Sequence, residues 1–497
     1  VSEWRQKLDY ENGGSSGAPK FPMPVNLDFL LFYGAVKKDE KISRFVKNTL
    51  QKMARGGIYD QAGGGFARYS VDDKWKIPHF EKMLYDNGQL LSIYSKAYQI
   101  FNQEEFKTVV IETAGFLERE LMDSSGAFYS SLDADSEGEE GKYYVWKSFE
   151  LEKILGEDYS LFADYYQINS KGFWEKGKNI LLRDSSDEEF ARKHGLTLKE
   201  LKQKVKRWKE DILKERSARV RPGLDDKVLT SWNALVIQGL ADAFKSFGTE
   251  AFRELAKRNA LFLKDNVMLS EGRLFHSWKY GTASVEGFLE DYALVIQAFI
   301  ALFEITGEES WLRSEEHTSE LQSPLCIFRH FFDEEAGIFY FSKKSIKNQT
   351  LINHFQKEDN VIPSANSVMA MSLFQLGHLM GKTGYLDISR KMIHHITPLF
   401  AKYPMAFARW GAVMLQMTGA AYEVAICGEE AENTFKAMQQ EFLPQVTWAF
   451  SEKASKIPVL KDRLVHGKTL IYVCQAGSCK LPVDKVEEAM KLLKSIT

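Results

Sequence analysis

The sequence lacks an apolar run long enough to cross a membrane, and it has no large excess of charge of either sign. Its 497 residues carry 65 Lys and Arg against 68 Asp and Glu, a net charge of −3. A nucleic acid or an anionic membrane as the main partner would require a basic excess, so neither is expected. No stretch approaches the roughly 20 apolar residues that a bilayer span needs, and no signal peptide is visible.

Cysteine and metal-binding patterns are also scarce. Four cysteines in so long a chain do not form a disulfide scaffold, so a reducing cytoplasm is the expected compartment. Cys474 and Cys479 have neither the C-x-x-C redox spacing nor a second pair to complete a zinc ribbon, and two free thiols are expected. The histidines are scattered, and phosphate-binding and dinucleotide-binding glycine motifs are missing. The sequence therefore predicts no metal and no cofactor.

What the sequence does contain is a repeat of helical pairs. The first helix of each pair is apolar nearly all round, as in Ala293 to Leu302, and should be buried on every side. The second carries charges on one face and should lie outside. A turn with glycine and aromatic residues follows the outer helices, as in "GGGFARY", "SSGAFYSS", "EGRLFHSW" and "EAGIFYFS". The period of about 60 residues indicates an array of helical hairpins.

The number and character of these helices predict a mainly α fold, an (α/α)6 toroid with six hairpins. Five pairs are clear, over residues 25–55, 79–121, 229–268, 288–332 and 363–401, and an eleventh helix runs near 405–418. A linear solenoid is the alternative, but its inner helices would not all need to be so apolar. The toroid should span 21–420, after a linker over 1–20, with a charged insertion at about 136–228. From residue 421 strands and helices alternate, which predicts a small α/β domain over 421–497.

Polar residues occupy equivalent positions near the starts of the inner helices, where core residues are expected. Aligning the repeats matches Asp86-Asn87 with Trp232-Asn233, Asp291-Tyr292 and Ala365-Asn366. All these helix starts should share one end of the ring, together with the positive ends of the helix dipoles. One interpretation is a cavity at this end that binds a small polar molecule. The other is that these residues are helix caps and core hydrogen-bonding groups.

Several loops would reach this end of the ring, which we call the mouth. They supply aromatic rings, carboxylates and arginine, which suit a sugar because rings stack on its faces and charged groups bind its hydroxyls. The same residue types occur in well-capped helical loops. The candidate ligand-binding residues are Arg68, Tyr69, Trp75, Asn87, Asp133, Asp135, Arg221, Asp225, Trp232, Asn233, Tyr292 and Asn366. The stretch "DADSEGEEGKYY" partly resembles a calcium loop, but its twelfth position is Tyr144 instead of a bidentate glutamate.

Two reaction types would suit a sugar at the mouth. Hydrolysis needs two carboxylates flanking the bond, and Asp86, Asp226 and Asp291 are the candidates. Epimerisation needs an acid and a base on opposite faces of one carbon, and it favours His79 and His276. The alternative to both is a module that binds a ligand or a partner without catalysis.

The surroundings of Asp86 distinguish a functional from a structural interpretation of the mouth. If Asp86 is structural, it should pair with a neighbouring donor such as Arg68 or Arg221. If it is functional, it should face a cavity together with His79 and a second carboxylate. The functional interpretation is preferred because the repeat places several polar groups at the same end.

Several long motifs resemble those of a known family. They include "MARGGIYDQAGGGFARYSVDDKWKIPHFEKMLYDN", "DADSEGEEGKYYVW", "LDDKVLTSWNAL", "GFLEDYALVIQA" and "KTLIYVCQAGSCKLP". The chain resembles the YyaL and spermatogenesis-associated thioredoxin-domain family over almost its whole length. The resemblance implies a six-hairpin, glycosidase-like toroid similar to that of N-acylglucosamine 2-epimerases. It also implies a thioredoxin-like domain upstream in the full-length protein, which this chain does not carry. It implies no particular reaction.

One segment is excluded from the functional argument. "RSEEHTSELQS", Arg313 to Ser323, matches the in-frame translation of a common sequencing-library adapter. It falls where the outer helix of the fourth pair should run, and Pro324 would disturb that helix further. We expect these residues to fit the toroid badly, and His317 is not a candidate.

Overall fold

A computed structural model describes residues 1–269, 272–312, 322–343, 354–419, 421–475 and 477–494, with side chains except at 322–326. Residues 313–321 of the adapter-like segment lie outside the described residues, so the expectation that they fit badly stays a prediction. In the part of the chain that is described, no helix is both long and apolar enough to cross a lipid bilayer.

Apolar helices form a closed inner ring. Each packs against the next, and the last packs against the first, so their side chains are buried on nearly all faces. Numbered in chain order, the inner helices are α1 (Pro24–Val36), α3 (Leu84–Phe101), α9 (Thr230–Phe247), α11 (Leu289–Thr306), α13 (Ala365–Leu379) and α15 (Ala408–Thr418). The helix predicted near 405–418 is therefore the sixth inner helix.

Amphipathic helices surround this ring. Tight turns connect them to the inner helices, and Asn102, Gly248 and Gly307 adopt the left-handed conformation that ends a helix at α3, α9 and α11. The outer helices within the described ranges are α2 (Glu40–Arg55), α4 (Glu104–Phe116), α10 (Glu250–Asn266), α12 (Gln322–Phe331) and α14 (Thr383–Lys402). The predicted (α/α)6 toroid is confirmed.

Short antiparallel strands tie neighbouring connections together where the inner helices begin. They are β1 (Tyr69–Ser70), β2 (Pro78–His79), β3 (Lys82–Met83), β4 (Ser131–Leu132), β5 (Asp135–Ser136), β6 (Glu139–Glu140), β7 (Leu224–Asp225), β8 (Val228–Leu229), β9 (Phe275–Lys279), β10 (Thr282–Glu286), β11 (Phe332–Asp333) and β12 (Ile338–Phe339). Strand β4 pairs with both β3 and β7, and β9 pairs with both β8 and β10. The connections before α3, α9 and α11 thus form one continuous rim.

The charged insertion folds against the outside of the ring around a core of its own. Its helices are α5 (Ser148–Leu155), α6 (Tyr159–Tyr165), α7 (Asp187–Lys193) and α8 (Leu198–Ser217). Trp146 and Trp208 belong to that core. At the end of α8, the buried Arg216 binds Asp60 at 2.8 Å, and Lys82 binds the same carboxylate at 2.9 Å. This buried ion cluster joins the insertion to the toroid.

The C-terminal residues form the expected small α/β unit. Its elements are β13 (Tyr422–Cys427), α16 (Ala431–Met438), β14 (Val446–Ser451), β15 (Leu470–Gln475), β16 (Ser478–Cys479) and α17 (Val486–Lys494). The sheet order is β14-β13-β15-β16, with β13 parallel to β14 and antiparallel to β15. Cys474 and Cys479 face each other across β15 and β16 and form a disulfide. The expectation of two free thiols is wrong, because the hairpin brings together cysteines whose spacing matches no common motif.

Residues 1–20, predicted to be a linker, pack on the toroid. Trp4 is buried against Phe29 of α1, with ring centroids 5.5 Å apart. The indole N–H of Trp75 donates to the carbonyl oxygen of Asn12 at 2.9 Å. Trp75 is fully buried and helps to hold this segment, which favours a structural role; its role in ligand binding stays a prediction.

Candidate functional site

The inner helices begin at one end of the ring, as the repeat alignment predicts. Tyr85 at the start of α3 contacts Trp232 at the start of α9, with ring centroids 4.8 Å apart. Asp291 of α11 accepts a hydrogen bond from a backbone N–H at the start of α9. Gln89 of α3 donates to the carbonyl of Val361, in the loop before α13. The starts of α3, α9, α11 and α13 therefore meet at the mouth.

Three of the predicted polar residues perform the same structural role in three repeats. Each amide both accepts from and donates to the backbone of one aromatic residue in a preceding turn, over 2.7–3.0 Å. The pairs are Asn87 with Phe66, Asn233 with Phe128, and Asn366 with Phe339. All three asparagines are fully buried. Their amides are used by the backbone of the core, which favours the structural interpretation, and their role in ligand binding stays a prediction.

Tyr292 takes the equivalent position in the repeat that lacks an asparagine. Its hydroxyl accepts a hydrogen bond from the backbone N–H of Leu274 at 3.0 Å. The side chain is fully buried. Tyr292 is thus also a core residue, and its role in ligand binding stays a prediction.

A group of three ionisable side chains lies at the mouth, between β9 and the start of α11. His276 Nδ1 is 3.0 Å from Asp291 Oδ2. The fully buried Asp291 also accepts the backbone N–H groups of Ser231 and Phe288, at 3.1 and 2.9 Å. These bonds fix the carboxylate and orient the imidazole, so that Nε2 points away from Asp291. Glu290 completes the group, since ligand atoms of the three ionisable residues lie within 4.8 Å of one another.

The pKa values of all three ionisable residues in this group are raised above their ordinary values. Burial raises the pKa of Glu290 to about 7, and the charge of Asp291 adds to the shift. Burial lowers the pKa of His276, but its hydrogen bond to Asp291 and the nearby negative charges outweigh burial and raise it above the ordinary value. Both oxygens of Asp291 and Nδ1 of His276 are already hydrogen-bonded. Raised pKa values beside a carboxylate held by backbone hydrogen bonds are an arrangement that suits proton transfer.

His79 lies in a second group on the α3 side of the rim. Its Nδ1 is 2.7 Å from Glu140 Oε1 on β6, and its ring stacks on Tyr69 at 4.9 Å. The neighbouring Glu81 binds Arg68 at 3.0 Å. The structure thus brings together three predicted residues, His79, Tyr69 and Arg68, and adds two carboxylates.

Asp86 is buried near this group without an ion-pair partner. It is 1% exposed, and its Oδ2 accepts no hydrogen bond from any described residue. Burial raises the pKa of Asp86 well above its ordinary value; Arg68 opposes this shift and Glu81 adds to it. Burial therefore disfavours the charged form of this carboxyl group. The predicted structural partners Arg68 and Arg221 bind Glu81 and Glu120 instead.

The remaining predicted residues lie on the outer surface of the rim. Asp226 pairs with Lys279, next to the exposed tip of the β9–β10 hairpin. Exposed or half-buried on the same surface are Asp133, Asp135, Arg221 and Asp225. No hydrogen bond or ion pair among the described side chains joins Asp226 to Asp86 or Asp291. The described group of ionisable residues whose ligand atoms lie within 4.8 Å of one another includes Asp291 but neither Asp86 nor Asp226.

Three glutamates at the mouth had no chemical role in the sequence analysis. They are Glu81, Glu140 and Glu290. A signal for Glu290 was present, because it lies seven residues before Gln297, a residue that lines the interior of the ring, and so shares its helix face. No signal pointed to Glu140, which reaches His79 from a hairpin 61 residues further along the chain.

Comparison with known proteins finds relatives that match nearly the whole length of this chain. No protein-family model matches the sequence. Over 98% of its length, the chain is 30% identical to spermatogenesis-associated protein 20 of Mus musculus, of which it covers 67%. The Homo sapiens protein of the same name is 29% identical, with the same coverage of both chains.

A solved structure shares the architecture. Cellobiose 2-epimerase from Spirochaeta thermophila aligns with 80% of this chain and 81% of its own, with a TM-score of 0.50 and 14% sequence identity. At that identity the similarity concerns the fold, an α/α toroid.

Proposed function

The chain belongs to the family of spermatogenesis-associated protein 20, and for this member we propose acid–base chemistry on a carbohydrate, of the epimerase or isomerase type. The observation that carries the proposal is the His276–Asp291 pair beside Glu290 at the mouth. It supplies two groups for proton transfer whose pKa values are raised, to about 7 for Glu290, beside a carboxylate that backbone hydrogen bonds hold in place.

The roles of the three residues follow from their contacts. Epimerisation removes a proton from the carbon next to a carbonyl group and returns one to the opposite face. Neutral His276 accepts the proton at Nε2, while Asp291 at Nδ1 stabilises the imidazolium that forms. Glu290, with a pKa of about 7, is partly protonated at neutral pH and supplies or accepts the second proton. His276 and Glu290 are both half-buried, so a substrate would exclude most water from them.

Aromatic and cationic groups around this cluster support a sugar as the substrate class. Trp232 packs edge-on against Tyr85, and Phe288 lies 5.1 Å from the His276 ring. Trp232 and Phe288 are only half-buried, which leaves ring surface for the apolar face of a pyranose. The Arg68 side chain is 43% exposed and offers N–H donors to hydroxyl groups.

Hydrolysis by paired carboxylates is less well supported by the same geometry. Hydrolysis requires an acid and a base or nucleophile that both reach the substrate. Asp291 is saturated with hydrogen bonds, Asp226 is neutralised by Lys279, and Asp86 is fully buried. Of the acids Asp86, Asp226, Glu290 and Asp291, Glu290 alone combines partial exposure with a pKa near 7.

Exchange of sugar hydrogens with solvent deuterium tests the proposal. The chain is incubated in D2O with cellobiose, glucose, mannose or N-acetylglucosamine, and deuterium at the carbon beside the anomeric centre is followed by NMR. We expect uptake into at least one sugar, reduced about 100-fold or more in His276→Gln. The control is His394→Gln, at an exposed site on α14, which should leave uptake unchanged.

Two results would overturn catalysis at this site: no uptake into any of the four sugars, or undiminished uptake in His276→Gln. Sugar binding without any uptake would instead favour the non-catalytic module. The mouse relative extends beyond the two thirds that match this chain. We propose that a thioredoxin-like domain in such an extension is the partner of the toroid, and the same assay on the full-length mouse protein measures its effect.

A further inference from the structure

The ring has a second polar site at the end opposite the mouth. A cavity of about 180 Å³ lies between the C-terminal halves of the inner helices and residues 439–448 of the C-terminal domain. Glutamines from five inner helices and one from the C-terminal domain line it: Gln99, Gln238, Gln297, Gln375, Gln416 and Gln439. We call this cavity the glutamine chamber. It shares no residue with the proton-transfer group at the mouth.

The charged groups of the glutamine chamber neutralise one another. Lys96 lies between Asp28 and Asp242, at 2.8 and 3.5 Å. Arg409 also binds Asp28, at 3.3 Å, and a lysine–glutamate pair joins α9 to α11. Burial lowers the pKa of Lys96, but the two aspartates outweigh burial and raise it, so this side chain stays charged. The fourth carboxylate of the wall, Glu441, pairs with Lys494 of α17 at 2.6 Å, outside the lining. Because every carboxylate of the wall has a cationic partner, the chamber favours a neutral ligand over an ionic one.

Polar atoms of the wall are left without partners among the described residues. They are Oε1 of Gln375, Nε of Arg409 and Nε2 of Gln439, one acceptor and two donors. The Gln439 side chain is only 5% exposed. Buried polar atoms without partners are rare in folded proteins, because they have lost their hydrogen bonds to water. A bound molecule that both donates and accepts would satisfy them.

We propose that the glutamine chamber binds a small, neutral, hydroxyl-rich molecule, of the class of a monosaccharide or a cyclic polyol. Amide side chains both donate and accept hydrogen bonds, and so do the hydroxyl groups of such a molecule. Trp448 in the wall adds an aromatic surface for a carbon ring. The volume is enough for about six water molecules or one small molecule of similar size. The proposal does not depend on chemistry at the mouth.

The interior of the ring continues from the chamber towards the mouth. A smaller cavity of about 80 Å³ shares Lys96, Asp242 and Gln238 with the chamber and extends to Gln89 and Pro363. Gln89 binds the loop that closes the mouth side. A test must therefore separate binding in the chamber from binding at the mouth.

Matched substitutions in the wall of the chamber provide this test. Gln439→Leu removes an unpartnered donor, and Gln375→Leu removes the unpartnered acceptor on α13. Gln440→Leu changes the next residue, whose side chain is exposed, and serves as the control. Binding of glucose, mannose and myo-inositol is measured by calorimetry and by saturation-transfer NMR. We expect at least one probe to bind, with Kd raised about tenfold by each chamber variant and unchanged by the control.

Each alternative outcome has a definite meaning. If no probe binds the wild-type chain, the chamber holds only water and the proposal is overturned. If His276→Gln abolishes binding while both chamber variants retain it, the ligand sits at the mouth; the chamber proposal fails and the proposed function stands. Melting temperatures show whether the variants are folded. If either variant fails to fold, a crystal of the wild-type chain soaked with the tightest probe decides, since its density must lie between Gln375 and Gln439.

Discussion

The two ends of the ring differ in how their buried ionisable groups are paired, although the same helices run between them. At the mouth, no described residue donates a hydrogen bond to Oδ2 of the buried Asp86, and burial raises the pKa of Glu290 to about 7. At the glutamine chamber, Lys96 lies between Asp28 and Asp242, and these charges offset one another. Uncompensated acids are typical of sites that move protons, whereas matched charges are typical of structural or binding sites. The comparison therefore supports the two proposals, proton transfer at the mouth and ligand binding in the chamber.

Helix dipoles alone do not explain this difference. The start of an inner helix favours a negative charge, which would lower the pKa of a carboxyl group placed there. Asp86 and Asp291 nevertheless have raised pKa values, and burial is the largest cause for both. At the opposite end the dipole acts with the side chains, since Lys245 in the last turn of α9 binds Glu304. Burial dominates at the mouth, and pairing dominates at the chamber.

The largest expected effect comes from a neutral residue at the mouth. Asn233→Ala removes the amide that binds the N–H and the carbonyl of Phe128, and it leaves both buried groups unpaired. We expect a loss of about 4 kcal/mol in the free energy of unfolding, measured with urea. Asn433→Ala, at an exposed site, should change stability by under about 0.5 kcal/mol. A small loss in Asn233→Ala would mean that the mouth amides are not structural.

The second prediction compares one cation at each end of the ring. Lys96→Met leaves Asp28 and Asp242 without their shared partner, and we expect a loss of about 3 kcal/mol. Arg68→Met breaks the pair with Glu81 on the partly exposed rim and should remove under about 1 kcal/mol. Urea unfolding at neutral pH measures both. Equal losses would contradict the difference between the matched chamber and the mouth.

The third prediction uses pH at the mouth. The pKa of Glu290 is about 7 in the folded chain and about 4.3 when unfolded, so the folded state binds more protons between these values. Stability therefore falls as pH rises from about 4.3 to 7, by about 2 kcal/mol after allowing for partial exposure. Glu290→Gln cannot ionise and should be more stable than the wild type by this amount at pH 8, with no difference at pH 4.

The control for this pH dependence is Glu118→Gln, at an exposed site on the outer surface. It should follow the wild type at both pH values. If Glu290→Gln is not stabilised at pH 8, the carboxyl group ionises freely and cannot be a proton-transfer group tuned by burial. Deuterium uptake in the same variant should fall, which would separate its effect on function from its effect on stability.

The fold was predictable because apolar inner helices have no other way to be buried. The positions of Asn87, Asn233 and Asn366 along their helices were predictable for a similar reason, since helical periodicity sets them. The direction of each amide was not, because it depends on a turn elsewhere in the chain. For Asn233 that turn lies 105 residues away.

The features that the sequence did not predict also depend on partners that are distant along the chain. Arg216 looks like one more charge on a surface helix until Asp60, 156 residues away, is placed beside it. The glutamine chamber did leave a signal, because "ALVIQ" occurs in both α9 and α11 and ends at Gln238 and Gln297. Its last wall could not be predicted, since Gln439 reaches it only through the docking of the C-terminal domain.

The smallest expected change in stability is at Asp86. Burial raises the pKa of Asp86 well above its ordinary value, and none of the described residues donates a hydrogen bond to its Oδ2. Asp86→Asn keeps the shape of the side chain and removes only a charge that burial disfavours, so we expect the free energy of unfolding to change by under about 1 kcal/mol. The comparison variant is Asp60→Asn, which strands Arg216 and Lys82 and should lose about 3–5 kcal/mol. If Asp86→Asn is as damaging as Asp60→Asn, Asp86 is ionised and paired, and the mouth resembles the chamber. If stability is kept while deuterium uptake falls, Asp86 belongs to the proton-transfer site.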